Sequence, residues 1–419
     1  MYIPKKTLFI PLDGTVDISD YLPIIDSFYF QRLDGVKQLD TAETVYRGAK
    51  HSRFEHSIGT MNKFRRMFFH RNLPNSDLSK DELKKVELAS LLHDCSHNAY
   101  AHLTEVIEKS LTGKSHDDRW VETLEKYFDK PLKECGFSPK DLKEVAETNL
   151  REIIWDIVGV DKLDYIQRDF YHVGFPTIEI EPQLTYSIFL KSKGLCIEEK
   201  SSALVTNFIH AWYVAHSTIY WRKACLIQAS MMRRAIWDAI SQGYLELEKM
   251  KEMRDYEVDY TLLSSKGKSK ELFKKILSRN LYKTAVTFKV EGYSYFERKG
   301  NKPLSIVEVP EEDVNKIFVE DRNFKEILEL EKELSKELTT DVIISTTPQP
   351  ERLKPKDPKI FSADREEVQK LSDINSDFLS YQKKIPNHLW VVRVVVPAED
   401  RKEVSRMYKT VEEYLYSNS

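Results

Sequence analysis

Residues 87–102, ELASLLHDCSHNAYAH, concentrate the side chains best able to do chemistry. An apolar helical run (Leu88, Ala89, Leu91, Leu92) delivers the adjacent pair His93-Asp94, and His97 and His102 follow in a short polar turn. Imidazole and carboxylate are ligands that borderline and hard divalent metals accept. Two ligands do not complete a site. His56 lies on an earlier amphipathic segment, close to Arg53 and Glu55. A fourth ligand is expected on another helix, and Asp161 and Asp164 in VGVDKLDYIQRD are the candidates. A buried histidine bonded to a neighbouring carboxylate would explain His93-Asp94 taken alone. It does not explain His56, His97, His102 and Asp161, all in apolar helical contexts, because buried ionisable groups are costly unless paired or metal-bound.

The elements that must position these residues are mostly helices. Residues 1–20 read as a short strand and turn, followed by a helix from about Ser19 to Gln31. Residues 50–70 read as an amphipathic helix with Phe54, Ile58, Met61, Phe64 and Phe68 on one face. Pro74-Asn75-Ser76-Asp77 breaks the chain, and Ser79 with Glu82 three residues on forms a capping-box pattern for the helix that ends in His93-Asp94. Helices are expected over 103–111, 116–130 and 139–158, with Gly174 and Pro176 as the stop. A small β segment over 182–198 precedes a long helix from Ser202 to Tyr244. Residues 245–282 read as charged helix. Residues 283–346 mix short strands (TAVTFKV, SIVEV, DVIIS) with the helix FKEILELEKELSKEL. Pro348, Pro350, Pro355 and Pro358 mark a rigid linker, and the tail reads as a strand, LWVVRVVVP, and an amphipathic helix. The expected fold is mainly α: a helical core with small β segments and a C-terminal α+β subdomain. The expected division is a catalytic core at 1–245, a mixed extension at 246–350, and a linker plus strand-helix subdomain at 351–419.

Composition excludes several classes. Hydrophobic residues make up 41% of the 419, enough for a folded core. Lys+Arg 64 against Asp+Glu 67 leaves a net charge of -3, so no global field favours nucleic acid, although a local basic groove is compatible with it. No apolar run is long enough to span a bilayer. The four cysteines, Cys95, Cys135, Cys196 and Cys225, are scattered without a CxxC, as expected for a cytoplasmic protein without structural zinc. No GxGxxG or GxxxxGK[ST] occurs, which leaves dinucleotide-binding and P-loop readings unsupported.

HSRFEHS (51–57), LLHDCSHNAYAH (91–102) and VDKLDYIQRD (160–169), with FQRLDGVKQL upstream, together resemble the motif set of the HD-domain phosphohydrolases. Within them the set is most similar to the deoxynucleoside triphosphate triphosphohydrolases: the bacterial dGTPase-like enzymes and the catalytic core of the mammalian SAM-and-HD-domain dNTPase. The resemblance covers roughly residues 10–235. It implies an HD-domain helical core and a four-ligand metal site of His56, His93, Asp94 and Asp161, in which Asp161 is preferred to Asp164. The ion would be one divalent metal per subunit: Mn, Fe, Mg, Ni or Zn. It further implies that His97, His102 and Glu105 flank the scissile phosphate, with His102 as general acid and Glu105 as its orienting carboxylate, and that His116 with Asp117 forms a supporting pair. The competing reading of His97 and His102 is a second metal site. Arg53, Lys162 and Tyr165 match phosphate-contacting positions. Gln38, Leu39 and Asp169 match deoxyribose-contacting positions, and His216 and Tyr220 match positions near base and sugar. Leu39 with Tyr220 would crowd the 2′ carbon and exclude ribose.

This chain departs from the family pattern at Ser96, where glycine is usual, at Glu105 and Asp117, where Asp and Glu are usual, and at Arg222, where histidine is usual. Asp34 replaces an arginine that helps to bind an activating nucleotide, while Asp26 and Gln31 match. An anion is repelled there, so activation of that kind is not expected. No SAM domain is expected, because the chain begins almost at the catalytic core. The implied partners are a dNTP substrate and further copies of the chain, as a dimer or tetramer. Residues 250–419 carry no motif.

Overall fold

The predicted helix over 50–70 forms from Arg53 to Phe68 (α1). Its inward face carries Ile58, Met61, Phe64, Met67 and Phe68, and also buries Arg53, His56 and Lys63. A computed structural model describes residues 5–68, 78–176, 184–191, 194–294, 304–317, 324–348 and 354–417. The expected break at Pro74–Asp77 lies outside these. The next helix, Lys80–Leu92 (α2), begins with the expected capping box: the Glu82 amide donates to Ser79 Oγ, and Glu82 Oε2 accepts from the Ser79 amide at 2.8 Å. Its apolar face (Val86, Leu88, Ala89, Leu91, Leu92) is buried. After the histidine-bearing turn the chain enters Ala101–Thr112 (α3), which ends at left-handed Gly113.

Several expected helices are broken. Ser19–Gln31 is a 3-10 turn and two four-residue helices, Leu22–Ile25 and Phe28–Gln31, the second capped by Ser27. The stretch 116–130 contains helix Trp120–Thr123, a wide π turn Leu124–Phe128 and helix Asp129–Glu134. Pro131 lacks the N–H that would continue the ladder, and the turn before it opens. The stretch 139–158 is Pro139–Glu147 and Arg151–Trp155, separated by extended Thr148. A separate helix, Val160–Val173 (α4), starts at extended Gly159 and ends at left-handed Gly174. A side chain at Gly159 would meet the Ile154 carbonyl at 2.4 Å.

The long helix expected from Ser202 to Tyr244 is two helices, Ser202–Ala215 (α5) and Lys223–Ser241 (α6), joined by a π turn, His216–Tyr220. The Tyr46 hydroxyl donates to the Thr218 carbonyl, and Arg222 donates to the same hydroxyl at 3.0 Å. A side chain thus takes the acceptor that the helical ladder would otherwise use. The C-terminal helix is likewise divided, into Arg401–Arg406 and Tyr408–Ser417.

Three small sheets complete the fold. Strands Thr7–Ile10 (β1) and Gly14–Asp17 (β2) form a hairpin. Ile188–Lys191 (β3) and Gly194–Glu198 (β4) pair antiparallel, and β4 pairs in parallel with Lys359–Ser362 (β8), which pairs with Glu367–Lys370 (β9). The third sheet has the order β6-β5-β10-β7, with Lys283–Val290 (β5), Ser305–Val309 (β6), Ile343–Thr346 (β7) and Val392–Val396 (β10). All five residues of β10 are buried, as a central strand requires. Strands from 246–350 and 351–419 are therefore interleaved in one sheet, and β8 ties the tail to β4 beside the helical core. The charged helix forms over Phe324–Glu337 (α7). The molecule is mainly helical, with small β segments. No helix among the described residues is long and apolar enough to cross a membrane.

Candidate active site

Three helices and one turn converge on the tetrad. His56 comes from the first turn of α1, His93 and Asp94 from the end of α2, and Asp161 from the start of α4. His56 Nε2 is 3.2 Å from His93 Nε2 and 3.2 Å from Asp161 Oδ1. His93 Nε2 is 3.5 Å from Asp161 Oδ1 and 3.4 Å from Asp94 Oδ1. His56 Nε2 lies 3.7 Å from Asp94 Oδ2. Ligands held about 2.1 Å from one ion are roughly 3.0–3.4 Å apart; His56, His93 and Asp161 come close to that spacing for a shared divalent cation, and Asp94 stands a little wider of His56.

The surroundings fix which nitrogen is available. His56 Nδ1 donates to Asp164 Oδ2 at 2.8 Å, and His93 Nδ1 donates to the Ser90 carbonyl at 2.9 Å. Those acceptors take a ring proton at each Nδ1 and turn both Nε2 atoms toward each other and the Asp161 carboxylate. Burial lowers the His56 imidazole, but Asp161 and Asp164 outweigh it and raise it to about 10, so a positive charge is favoured at this point. Converging acceptors repel unless a cation lies among them. Asp164 is the backing carboxylate, not a member of the converging set: it also accepts from Arg168 Nε and Nη2, both at 2.8 Å. Arg168 in turn reaches Asp13 and Glu55. A β-carbon at Gly59 would meet Arg168 Nη2 at 2.0 Å and Asp164 Oδ1 at 2.4 Å, so glycine lets α1 and α4 approach closely enough for this support. Arg53 Nη1 binds Asp94 Oδ2 at 2.5 Å. Burial pushes the Asp94 carboxyl up, but His93, Arg53 and His97 outweigh it and hold it well below the usual carboxylate range.

Beside the tetrad lies a second group. The His97 and His116 rings stack at 3.9 Å, and His102 stands edge-on to His97 at 4.5 Å. Glu105 bridges the other two, with Oε2 3.0 Å from His102 Nδ1 and Oε1 2.9 Å from His116 Nδ1. His116 Nε2 is 3.3 Å from Asp117. His102 is 60% exposed, whereas His97 is 1% exposed, with neither ring nitrogen within 3.5 Å of a partner among the described residues and Nε2 3.6 Å from Asp94 Oδ1. Burial, Arg53 and His116 hold the His97 imidazole well below its usual range. Burial also works against the charged form of His116, but Glu105 reverses this and raises it. Glu105 is pushed up by burial and pulled further down by its two histidines.

The turn that carries these histidines is held by residues the motifs did not single out. Buried Arg32 donates to the His97 carbonyl at 2.6 Å and the Met253 carbonyl at 3.1 Å. Buried Arg119 donates to the Ser96 carbonyl at 3.0 Å, to Asn98 at 3.1 Å and to Glu108 at 2.8 Å. Ser96 and Asn98 are thus accommodated in a braced turn. Asp255 accepts from the Lys37 amide at 3.0 Å and the Tyr100 amide at 2.7 Å, which ties the Gln38 segment to the turn. Burial raises its carboxyl to about 6 against these two donors. Tyr100 and Ala101 have φ of 62° and 36°, a strained entry to α3. Arg32 stands inside the FQRL motif; Arg119 and Asp255 carry no local signal.

The tetrad opens into a cavity of about 550 Å³. Gln38, Leu39, Arg53, Tyr165, Asp169, His216 and Tyr220 line it, together with His102 and His116. Trp155 and Trp221 also line it and had no sequence signal, and so does Arg233, one of the basic residues Arg222, Lys223, Arg233 and Arg234 of the predicted long helix. Asp169 is fixed from both sides, by His51 Nε2 at 2.7 Å and the Tyr220 hydroxyl at 2.5 Å. His216 Nδ1 donates to the Trp212 carbonyl, and burial lowers its imidazole to about 4. Three expected site residues are not on this wall. Lys162 donates to the Trp155 carbonyl at 3.1 Å and lies 3.9 Å from Asp161. His97 is stacked beneath His116, and Glu105 lies behind the two histidines it bridges.

A family model described as the HD associated region matches residues 182–415. An uncharacterised protein of Methanocaldococcus jannaschii is 28% identical over 394 residues, covering 91% of this chain and 77% of that one. The deoxynucleoside triphosphate triphosphohydrolase SAMHD1 homologue of Dictyostelium discoideum is 27% identical over 306 residues, 65% of this chain and 58% of its own length. The human enzyme of that name is 24% identical over 346 residues, 66% of this chain and 54% of its own length. The chain thus spans little more than half of these two triphosphohydrolases. Among solved structures, a hypothetical protein of Aquifex aeolicus matches with a TM-score of 0.71 at 23% identity, covering 96% of this chain and 99% of that one. A phosphohydrolase of Bacteroides thetaiotaomicron matches with a TM-score of 0.68 at 18% identity, covering 94% and 100%. At those identities the structures speak for the shared fold. The match to the HD associated region and the triphosphohydrolase relatives together place the chain in the HD-domain phosphohydrolases, related to the dNTP triphosphohydrolases.

Proposed function

We propose that the protein is a metal-dependent phosphohydrolase that cleaves deoxynucleoside triphosphates at the α-phosphate, releasing deoxynucleoside and inorganic triphosphate. The observation that carries this reading is the placement of two kinds of residue in one cavity. His56, His93 and Asp161 converge with Asp94 beside them, and Gln38, Leu39, Asp169 and Tyr220, the positions that match a deoxyribose subsite, line the same cavity. The tetrad would hold one divalent ion, which supplies Lewis acidity toward a phosphoryl oxygen and makes a nearby water more acidic. Attack of water at the α-phosphorus breaks the bond to the 5′ oxygen. His102 donates the proton that oxygen needs, and Glu105 orients its imidazole. His116 shares Glu105 and keeps that carboxylate in place. His97, buried, backs the Asp94 side of the centre. Arg53 holds Asp94 and faces the substrate phosphates, and Tyr165 lines the same wall. Lys162 reaches phosphate only by leaving the Trp155 carbonyl. The assembly is a homo-oligomer, a dimer or tetramer, which sedimentation velocity tests.

Incubation with Mn²⁺ and each dNTP, with products resolved by ion exchange, tests the reaction. Deoxynucleoside and triphosphate are expected; monophosphate with pyrophosphate, or no turnover of any dNTP, contradicts it. One observation favours a second reading. His97, His102 and His116 also bring donor atoms within 4.8 Å of one another. If they hold a second ion, the enzyme is a binuclear phosphohydrolase acting as a nucleotidase or phosphodiesterase, and elemental analysis finds two ions per chain.

A further inference from the structure

Besides Asp169, which His51 and Tyr220 bind, the cavity wall carries one carboxylate that neither the tetrad nor the histidine group uses. Asp40 lines the cavity between Leu39 and Thr41. Its φ is 45°, in the left-handed region that non-glycine residues enter at a cost. Its Oδ1 is buried and accepts no hydrogen bond among the described residues. Nearby, Gln38 Oε1 is buried and unsatisfied in the same way.

The backbone that presents Asp40 is pinned. On one side, the Arg53 amide donates to the Val36 carbonyl at 2.9 Å, the Gln38 amide donates to the His51 carbonyl at 3.0 Å, and Asp255 takes the Lys37 amide. On the other, Gln228 of α6 donates to the Thr41 carbonyl at 3.3 Å, and its amide oxygen accepts from the Thr44 hydroxyl. The 3-10 turn Asp40–Thr44 therefore cannot swing to carry the carboxylate into water. The charged groups that act on it are Arg53, Arg233 and Lys37, which favour its anion, and Asp255, which opposes it. Burial outweighs the cations and raises the carboxyl to about 8. A polar group held out of water without a partner is costly, and here the cost falls inside the cavity meant for a ligand. What the group lacks is a hydrogen-bond donor.

Resting on the dNTP reading above, we propose that Asp40 is a specificity-determining residue whose buried Oδ1 accepts a hydrogen bond from the nucleoside. The donor is a sugar hydroxyl or an exocyclic base amine. Asp40 makes the cavity select for nucleosides that present that donor, because one lacking it leaves the acceptor unpaired.

The test is isothermal titration calorimetry of the α,β-imido analogues of dATP, dCTP, dGTP and dTTP, and of their 2′,3′-dideoxy counterparts, into the full chain as purified. Wild type is compared with Asp40→Gly and Asp40→Asn. Both replacements suit a left-handed backbone, and melting temperature with metal content checks that each variant folds. Asp40→Gly is expected to raise Kd by about ten-fold or more for ligands that carry the donor, with Asp40→Asn between it and wild type. A loss for the dATP, dCTP and dGTP analogues that spares dTTP assigns a base amine. A loss for all four that disappears with the dideoxy compounds assigns a sugar hydroxyl. Changes below about two-fold for every ligand in both variants overturn the proposal and leave the dNTP reading standing. Wild-type protein that binds none of the ligands overturns both.

Discussion

The tetrad and the histidine group lie side by side, share Asp94 as a neighbour, are built from the same residue types and both bond Nδ1 to a protein acceptor, yet they differ in what Nε2 meets. In the tetrad each imidazole spends Nδ1 on a protein acceptor, Asp164 or the Ser90 carbonyl, and turns Nε2 inward to meet carboxylates. In the histidine group, His102 and His116 turn Nδ1 toward a shared Glu105, and His102 is largely exposed. The first arrangement gathers carboxylates and imidazole Nε2 atoms around one buried point, favours positive charge there and suits a cation. The second keeps a proton mobile between imidazole, carboxylate and solvent. Histidine content alone does not distinguish a metal site from a proton-transfer site; the partner of the second ring nitrogen does.

Variants break this contrast in a graded way. His93→Ala removes an inward lone pair, and its predicted outcome is loss of bound metal with turnover down on the order of 10³-fold, read by elemental analysis and product assay. His102→Ala should lower kcat by about 10²–10⁴-fold and leave metal content at its wild-type value; metal lost in parallel would place His102 with the ligands. Asp164→Asn weakens the partner of His56 Nδ1 without touching the converging atoms. Metal affinity, titrated with a competing chelator, is predicted to fall about 10–100-fold, whereas unchanged affinity would deny Asp164 its supporting part. Asp255→Ala loosens the turn itself by removing an acceptor of two amides. It should cost about 2 kcal/mol in chemical denaturation and reduce turnover less than His102→Ala does.

The placement of His93-Asp94 was legible because the pair follows a helix marked by a capping box and an apolar run, whereas the helix start at Gly159 that carries Asp161 was not. Those signals are local, and Ser79, Glu82 and Gly174 act as expected. The choice of Asp161 over Asp164 needed the motif resemblance, since both stand on α4 three residues apart; the structure supplies the physical distinction in the Arg168 contact with Asp164. The braces were not legible. Arg119 and Asp255 act on the backbone of a distant turn, and no periodicity or spacing marks a side chain that serves another segment's carbonyl or amide. The break at Trp221–Arg222 was missed for a similar reason: the Thr218 carbonyl is taken by Tyr46, which is remote in sequence. Interleaving of β10 between β5 and β7 is a matter of long-range pairing, which apolar strand runs do not encode.

The contrast between the two groups is tested most directly by counting ions. Elemental analysis of the purified chain and of its His102→Ala/His116→Ala variant, each equilibrated with Mn²⁺ and freed of excess metal, gives ions per chain. The account predicts one in both proteins. Two in the wild type and one in the variant would contradict it and make the histidine group a metal site.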